Sequence, residues 1–246
     1  MYDIEMKSAA IAALLCSLTF AQAPADDTAK LQAQIDRNKK TLDDWPQLSR
    51  YAADNASLAT PARVVFMGDS ITDAWIKRSP KFFADNPSYV DRGISGQTTP
   101  QMLIRFRPDV IALKPKIVVI LAGTNDIAGN TGPMTLEMIE DNMTSMAELA
   151  KANHIAVVLS SVMPVCDYIR NQTDHRPPAK IIALNEWIKA YAAKNKLVYL
   201  DYYSAMLDDQ KMFRKEITYD GLHPNEAGYA IMEPLAEKAI AAALKK

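Results

Sequence analysis

Short apolar runs alternate with longer amphipathic stretches through most of this 246-residue chain. The runs 64–66 (VVF) and 117–121 (IVVIL) are continuously apolar and rich in β-branched residues, which is typical of strands buried on both faces of a parallel sheet. The predicted strands cover residues 63–67, 89–92, 117–121, 155–161 and 197–200, and the main helices follow residue 67 or begin near Pro100, Met134, Ala179 and Asn225. Strands that alternate with helices form βαβ units, in which helices cover the sheet. The pattern therefore predicts one α/β domain around a central, mostly parallel, five-stranded sheet, with a last helix kinked at Pro234.

Polar segments follow the predicted strands at their carboxyl ends. Gly68-Asp69-Ser70-Ile71 follows the first strand, Gly96 follows the second, and Gly123-Thr124-Asn125-Asp126 follows the third. Asp220-Gly221-Leu222-His223-Pro224 precedes the last helix and can return to the same edge. Because open α/β sheets bind ligands at this edge, we expect the segments to meet there. Together they supply the hydroxyl, the amide and the Asp/His pair that acyl transfer requires.

Each of these polar residues has a predicted chemical role. Ser70 is the expected nucleophile, with His223 as its base and Asp220 orienting the imidazole. The expected oxyanion donors are the Ser70 N–H at a helix start, the Gly96 N–H and the Asn125 side-chain amide. Taken singly, the segments also fit a helix cap, a loop turn and a turn before a helix. Their occurrence together favours the catalytic interpretation.

In chain order, the segments GDSI, GISG (Gly93 to Gly96), GTND and DGLHP resemble the sequence blocks of the SGNH or GDSL hydrolase superfamily. The resemblance extends from about Arg63 to Leu235 and departs from the name only at Ile71, where the name has leucine. It implies a three-layer αβα sandwich of the flavodoxin-like type, in agreement with the alternation of strands and helices. It also implies that Gly96 and Asn125 occupy oxyanion-hole positions.

Four further residues are predicted to contact substrate: Trp75, Tyr168, Arg170 and His175. Trp75 follows Ser70 by about one turn and would wall an acyl pocket, although an aromatic residue on the inner face of a helix is more often part of the core. The other three belong to a polar loop from Pro164 to Pro178 that is long enough to border the site. For this loop, substrate contact and plain solvent exposure are equally compatible with the sequence.

Asp69 and Asp126 adjoin the catalytic segments but fit better as hydrogen-bond partners that shape the loops. Arg92 is expected to be structural. His154 lies in a predicted helix-to-strand turn, where a capping or solvent-exposed position is expected rather than catalysis.

Composition and missing motifs exclude several other classes. The chain has 28 Lys and Arg against 29 Asp and Glu, and it contains no basic run with interleaved aromatic residues, so nucleic acid binding is not expected. No zinc motif, cysteine cluster or phosphate-binding loop occurs, so neither a metal nor another cofactor is implied. Thr72 stands where the nucleophile elbow of α/β-hydrolases has its second glycine, which excludes that motif.

The N-terminus carries the one targeting signal. Residues 8–23 are apolar and end in Ala21-Gln22-Ala23, so we predict a secretory signal peptide over residues 1–23, with translation starting at Met1 or Met6. The run is short for a bilayer span, so no stable membrane anchor is expected. A linker and helical segment over 24–60 and the hydrolase domain over 61–246 would follow. Export to the periplasm or beyond leaves only Cys166 in the mature chain, which excludes an internal disulfide.

The sequence thus predicts an exported serine esterase that acts through an acyl-Ser70 intermediate. Short connections after the second and third strands favour acetyl or other short acyl groups on carbohydrate or small-molecule alcohols. Thioesterase, lysophospholipase and acyltransferase activities are alternatives on the same machinery. A non-catalytic binding module of the cell envelope is the alternative from another class, and the oligomeric state is left open.

Overall fold

The computed structural model describes residues 25–245 as nine α-helices, three short 3₁₀ helices and five strands. The strands are β1 (Val64–Gly68), β2 (Tyr89–Gly93), β3 (Ile117–Leu121), β4 (Ala156–Ser160) and β5 (Val198–Leu200). The helices are α1 (Ala25–Asp43), α2 (Ala52–Ala56), α3 (Ser70–Arg78), α4 (Pro80–Asp85), α5 (Thr99–Asp109), α6 (Thr124–Ile127), α7 (Leu136–Ala152), α8 (Pro178–Lys194) and α9 (Glu226–Ala243). The predicted signal peptide lies outside the described residues.

The strands form one sheet in the order β2-β1-β3-β4-β5, and all four neighbouring pairs are parallel. In this order the chain runs outward from β1 to β2 and then returns past β1 to β3. The crevice between the carboxyl ends of β1 and β3 is therefore the topological switch point, where parallel α/β sheets bind their ligands. Ser70 follows β1 directly and Asn125 lies shortly after β3, so the two residues flank this crevice.

The core has one apolar layer on each face of the sheet, because successive strand residues point to opposite faces. Val65 and Met67 of β1 pack with residues of α5, α7 and α8. Val64 and Phe66 pack with residues of α3, α4 and α9. Both faces of the sheet are covered, which explains why the central strands β1 and β3 read as uninterrupted apolar runs.

The structure confirms the predicted α/β class and the five-stranded parallel sheet. Each strand end lies within one residue of its predicted position. The short helix α4 and the 3₁₀ turns Ile111–Leu113, Ser204–Met206 and Lys215–Ile217 were not predicted from the sequence. Helix α9 continues through Pro234 for 18 residues.

The described part of the chain divides into two units, residues 25–43 and residues from Asp44 onward. The first unit is the polar helix α1, which is supported by side-chain pairs such as Gln32 with Asp36 at 3.0 Å. Residues 44–60, part of the predicted N-terminal segment, pack on the α/β unit: the Tyr51 hydroxyl donates to the Gly93 carbonyl, and Asn55 Nδ2 donates to Asp109 Oδ1 at 2.8 Å. None of the helices described is both long and apolar enough to cross a bilayer.

Candidate active site

Ser70 is the first residue of α3 and lies at the turn that leaves β1. The Asp69 side chain caps the helix, since its Oδ1 accepts from the Ile71 N–H at 3.0 Å. The Gly68 carbonyl accepts from the Ile94 N–H at 3.1 Å and from Arg105 Nη2 at 3.0 Å, which fixes the end of β1 against neighbouring segments. These contacts hold the partly exposed Ser70 hydroxyl at the carboxyl edge of the sheet.

His223 and Asp220 lie beside Ser70, although 153 positions separate Ser70 from His223 in the chain. Ser70 Oγ is 3.0 Å from His223 Nε2, and His223 Nδ1 is 2.9 Å from Asp220 Oδ2. A carboxylate accepts the Nδ1 proton, which leaves Nε2 free to accept from the serine hydroxyl. The three side chains therefore form a continuous hydrogen-bonded series in the order that nucleophilic catalysis requires.

The backbone around Asp220 holds its carboxylate in place. Asp220 Oδ1 accepts from the N–H groups of Leu222 at 3.0 Å and His223 at 2.9 Å. Burial raises the pKa of Asp220, but the hydrogen bonds and charge of His223 outweigh burial, so the pKa lies below its ordinary value. Asp220 is thus ionised at neutral pH and available to orient the imidazole.

Each of the three predicted oxyanion donors has a hydrogen without an acceptor among the described residues. The Ser70 N–H belongs to the unpaired donors at the N-terminus of α3. Gly96 is exposed with φ +81°, its carbonyl accepts from Asn130 Nδ2 at 3.1 Å, and within residues 25–245 its N–H has no acceptor. Asn125 is 3% exposed and donates one amide hydrogen to the Gln97 carbonyl at 3.0 Å, which leaves the second hydrogen available. These three groups are the ones that the sequence predicts as oxyanion donors.

Arg176 belongs to the polar loop from Pro164 to Pro178 and contacts two residues of the segment after β3. Its Nη2 lies 3.4 Å from Asn125 Oδ1, and its Nε donates to Thr124 Oγ1 at 3.1 Å. A guanidinium has donors only, so this contact fixes the Asn125 oxygen toward Arg176 and the amide nitrogen away from it. Its Nη1 also donates to Gln172 Oε1 at 3.2 Å, and Gln172 Nε2 donates to the Asp220 carbonyl at 3.1 Å. The loop therefore joins the Asn125 amide to the segment that carries the Asp/His pair.

Asp69 and Asp126 are buried and accept hydrogen bonds from backbone N–H groups near the site, which agrees with their predicted role in shaping the loops. Asp126 Oδ1 accepts from the backbone N–H of Thr99 at 2.8 Å at the start of α5. Asp69 is buried, and burial raises its pKa to about 6, although the Ile71 hydrogen bond and the charge of His223 act in the opposite direction. Neither carboxylate lines the groove in front of Ser70.

A groove of about 420 Å³ opens in front of Ser70 and His223. Its lining comprises Ser70, Ala74, Arg78, Ser95, Arg170, Tyr219, Asp220, His223 and Pro224. Only Ala74 and Pro224 offer wholly apolar side chains, so the groove provides little surface for a long acyl chain.

Of the four residues predicted to contact substrate, only Arg170 lies along the groove. Tyr168 does not, and its hydroxyl instead donates to Asp208 Oδ2 at 2.7 Å. His175 is exposed on the same loop and also lies outside the groove lining.

Trp75 lies in the core rather than along the groove, in line with the structural alternative considered for it. It is 1% exposed, stacks on Phe82 at a centroid distance of 5.1 Å and meets Phe66 edge-on at 5.4 Å. Helix α3 turns this side chain toward the sheet, whereas Ser70 and Ala74 face the groove. An acyl group in the groove would therefore not reach the indole.

The burial of Trp75 leads to a test of that placement. Trp75→Phe is expected to lower the free energy of unfolding by about 1–3 kcal/mol, because it leaves a cavity among close-packed rings. It should leave the acyl-chain preference of ester hydrolysis unchanged. Denaturant unfolding and rates on a series of esters measure the two effects. Trp187→Phe, at a half-buried indole that stacks on Tyr191, is the matched control and should cost less. A change in the preferred acyl-chain length in Trp75→Phe would mean that Trp75 contacts the acyl group after all.

The fold and this arrangement are those of α/β acyl hydrolases with a serine, a histidine and an aspartate at the carboxyl edge of a parallel sheet. The chain belongs to the GDSL-like lipase/acylhydrolase family, whose profile matches residues 66–231. The family resemblance inferred from the sequence is thereby confirmed.

Solved structures of the family superpose closely on this chain. A proposed acylhydrolase from Bacteroides fragilis is 47% identical, with a TM-score of 0.76 over 81% of this chain and 98% of that one. A GDSL-like lipase from Bacteroides thetaiotaomicron is also 47% identical, with a TM-score of 0.74 over 80% and 98% of the two chains. The fold is shared at 21% identity by an acetyl-xylooligosaccharide esterase from Geobacillus, with a TM-score of 0.61 over 74% of this chain and 94% of that one.

One curated relative matches part of the chain. An uncharacterized lipoprotein of Bacillus subtilis is 31% identical over 85 residues, which cover 33% of this chain and 35% of that protein. The matched region is thus about a third of the length of this relative.

Proposed function

We propose that this protein is an exported serine esterase that hydrolyses short-chain carboxylic esters, with Ser70 as nucleophile, His223 as general base and Asp220 as the group that orients it. The observation that carries this proposal is the series Ser70 Oγ, His223 and Asp220, joined at 3.0 and 2.9 Å at the switch point of the sheet. Membership in an acylhydrolase family supports the same class of reaction.

In the first half-reaction, Ser70 Oγ attacks the ester carbonyl carbon while its proton passes to His223 Nε2. The negative charge that develops on the carbonyl oxygen is met by the N–H groups of Ser70 and Gly96 and by Asn125 Nδ2. The C–O bond to the alcohol then breaks, and the alcohol leaves with the proton from His223. Water repeats these steps on the acyl-Ser70 ester, which releases the carboxylic acid and restores the serine.

Short acyl groups are supported by the groove, which has two small apolar side chains and otherwise polar walls. The groove is open to solvent beside a partly exposed His223, so water can reach the acyl-enzyme. This favours hydrolysis over transfer to another alcohol. Export is supported by the apolar segment 8–23 and by the partial match to a lipoprotein.

The test measures hydrolysis of p-nitrophenyl esters from acetate to decanoate by the chain from residue 24 onward, together with labelling by a fluorophosphonate. We expect labelling at Ser70 and the highest kcat/KM for the shortest acyl chains. A maximum at decanoate would instead favour lysophospholipase-like or lipase-like use of the site. Absence of both hydrolysis and labelling would overturn the proposal in favour of a non-catalytic binding module.

A further inference from the structure

We propose that the groove selects esters that carry an anionic oxygen group, a carboxylate or a phosphate, which Arg78 and Arg170 bind beside the catalytic serine. This inference rests on the proposed esterase function and names the class of substrate. Both arginines line the groove with Ser70 and His223. Guanidinium groups match the geometry of carboxylate and phosphate oxygens and bind them through paired hydrogen bonds.

Arg78 shares one stripe of α3 with the nucleophile. Ser70, Ala74 and Arg78 are spaced four residues apart and all three line the groove. The rise of a helix separates the backbones of Ser70 and Arg78 by about 12 Å along its axis. Arg78 is therefore placed to meet the far end of a substrate whose ester lies at Ser70.

The Arg78 side chain is held in position by two neighbours. Its guanidinium lies 4.3 Å from the centre of the Tyr219 ring, and its Nη1 is 3.4 Å from Glu226 Oε1. The Tyr219 hydroxyl donates to the same Glu226 oxygen, which ties the pair together. One contact with a carboxylate leaves most of the five N–H donors of an arginine available to a ligand.

Arg170 supplies the second charge. It is exposed, and within residues 25–245 it forms no hydrogen bond or ion pair. Its loop is nevertheless anchored, because Asp167 accepts from the backbone N–H groups of Gln172 at 2.7 Å and Thr173 at 3.0 Å. The Arg170 guanidinium thus lies at the groove without a partner among the described residues, on a loop whose backbone is held in place by hydrogen bonds.

The carboxylates in and next to the groove already have hydrogen-bond or ion-pair partners. Asp220 is the one carboxylate of the lining, and it is hydrogen-bonded to His223 and to two backbone N–H groups. Asp73 lies behind Ser95, accepts from its hydroxyl at 2.6 Å and pairs with Arg50 at 3.6 Å. Among the residues that line the groove, two arginines therefore stand against one carboxylate, and Glu226, which pairs with Arg78, lies outside the lining.

The experiment compares matched esters that differ in one charge. One arm uses 3-(4-acetoxyphenyl)propanoate against its primary amide, and the other uses 2-(4-acetoxyphenyl)ethyl phosphate against the corresponding alcohol. We expect the wild type to favour the anionic member by about 5- to 20-fold in kcat/KM at low salt, as partly exposed charge-assisted contacts provide. The preference should weaken as salt screens the charges. The arm with the larger ratio identifies the anionic group as carboxylate or phosphate.

The double variant Arg78→Gln with Arg170→Gln should bring the ratio close to one, and Arg170→Lys should retain part of the preference. Arg107→Gln is the matched control, since Arg107 is exposed on α5 away from the groove and should keep the wild-type ratio. A wild-type ratio near one in both arms, or a preference that survives in the double variant, would overturn the inference.

A binding measurement separates this inference from the esterase proposal. Calorimetry of the product 3-(4-hydroxyphenyl)propanoate requires no turnover, and its affinity should fall at least about fivefold in the double variant. If the product binds more weakly to the double variant than to the wild type but no ester probe is hydrolysed, the anion site stands and the esterase proposal is refuted. If the esters are hydrolysed but the double variant keeps the wild-type kcat/KM ratio and product affinity, the esterase proposal stands and the anion site is refuted.

Discussion

Ser70→Ala is expected to lower kcat for ester hydrolysis by about 10⁴- to 10⁶-fold, as loss of the nucleophile does in enzymes of this mechanism. In the proposed mechanism the Ser70 hydroxyl oxygen forms the acyl intermediate, and within the groove lining no second hydroxyl lies within hydrogen-bond distance of His223 Nε2. The remaining rate would come from substrate binding and the oxyanion donors. Rates on p-nitrophenyl acetate and fluorophosphonate labelling measure the effect.

Two comparisons make this result specific. Ser145→Ala removes a hydroxyl that bonds only within α7, so it should leave rate and labelling as in the wild type. Thermal unfolding of Ser70→Ala should remain close to that of the wild type, because the partly exposed hydroxyl contributes little to packing. A rate for Ser70→Ala within tenfold of the wild type would mean that another group attacks the ester.

Asn125→Ala is expected to lower kcat by about 100- to 1000-fold, the usual cost of one oxyanion donor. KM should change less, because the donor acts mainly on the charge that develops in the transition state. Arg176 contacts the oxygen of the same amide at 3.4 Å and thereby orients it. Arg176→Met should therefore lower kcat as well, by about 10- to 50-fold for a loosened donor.

The two substitutions form a double-mutant cycle. If Arg176 acts through the amide, Arg176→Met should add little to the loss already caused by Asn125→Ala. Arg176→Lys keeps the charge near Asp69 and Asp220 but not the fixed planar fork, so it should recover only part of the rate. Losses that multiply in the double variant would assign Arg176 a separate, purely structural role, and full recovery by lysine would assign its effect to charge.

The strands and the catalytic segments followed from local sequence. Val64-Val65-Phe66 and residues 117–121 are apolar at every position, a pattern that strands covered on both faces require. Parallel strands bring their carboxyl ends to one edge of the sheet. The positions of Ser70, Gly96 and Asn125 after successive strands were therefore enough to predict that they lie near one another. Asp220 and His223 are three residues apart, and a tight loop is sufficient to pair them.

Other features depend on contacts that no local pattern encodes. Whether Trp75 faces the groove or the sheet depends on how α3 is rotated, and the rings of Phe66 and Phe82 from other elements set that rotation. Arg176 reaches Asn125 across 51 positions of the chain, and no hydrophobic periodicity links the loop that carries Arg176 to the short helix α6 that carries Asn125. Residues 44–60 belong to the segment predicted as a linker with helices, and nothing in its sequence shows that Tyr51 and Asn55 bond to groups more than 40 positions away.

The sequence by itself determined the layers of the fold and where the proposed nucleophile, base and donors stand along the chain, because hydrophobic period and strand-end position are properties of short segments. Only the tertiary structure decided which loop side chains support those residues and which charges face the substrate. Arg78 and Arg170 come from different elements, and they line one groove because the sheet brings the end of β1 and the loop after β4 to a common edge. Long-range packing sets such neighbours, and it acts between segments whose order in the chain does not reveal their distance in space.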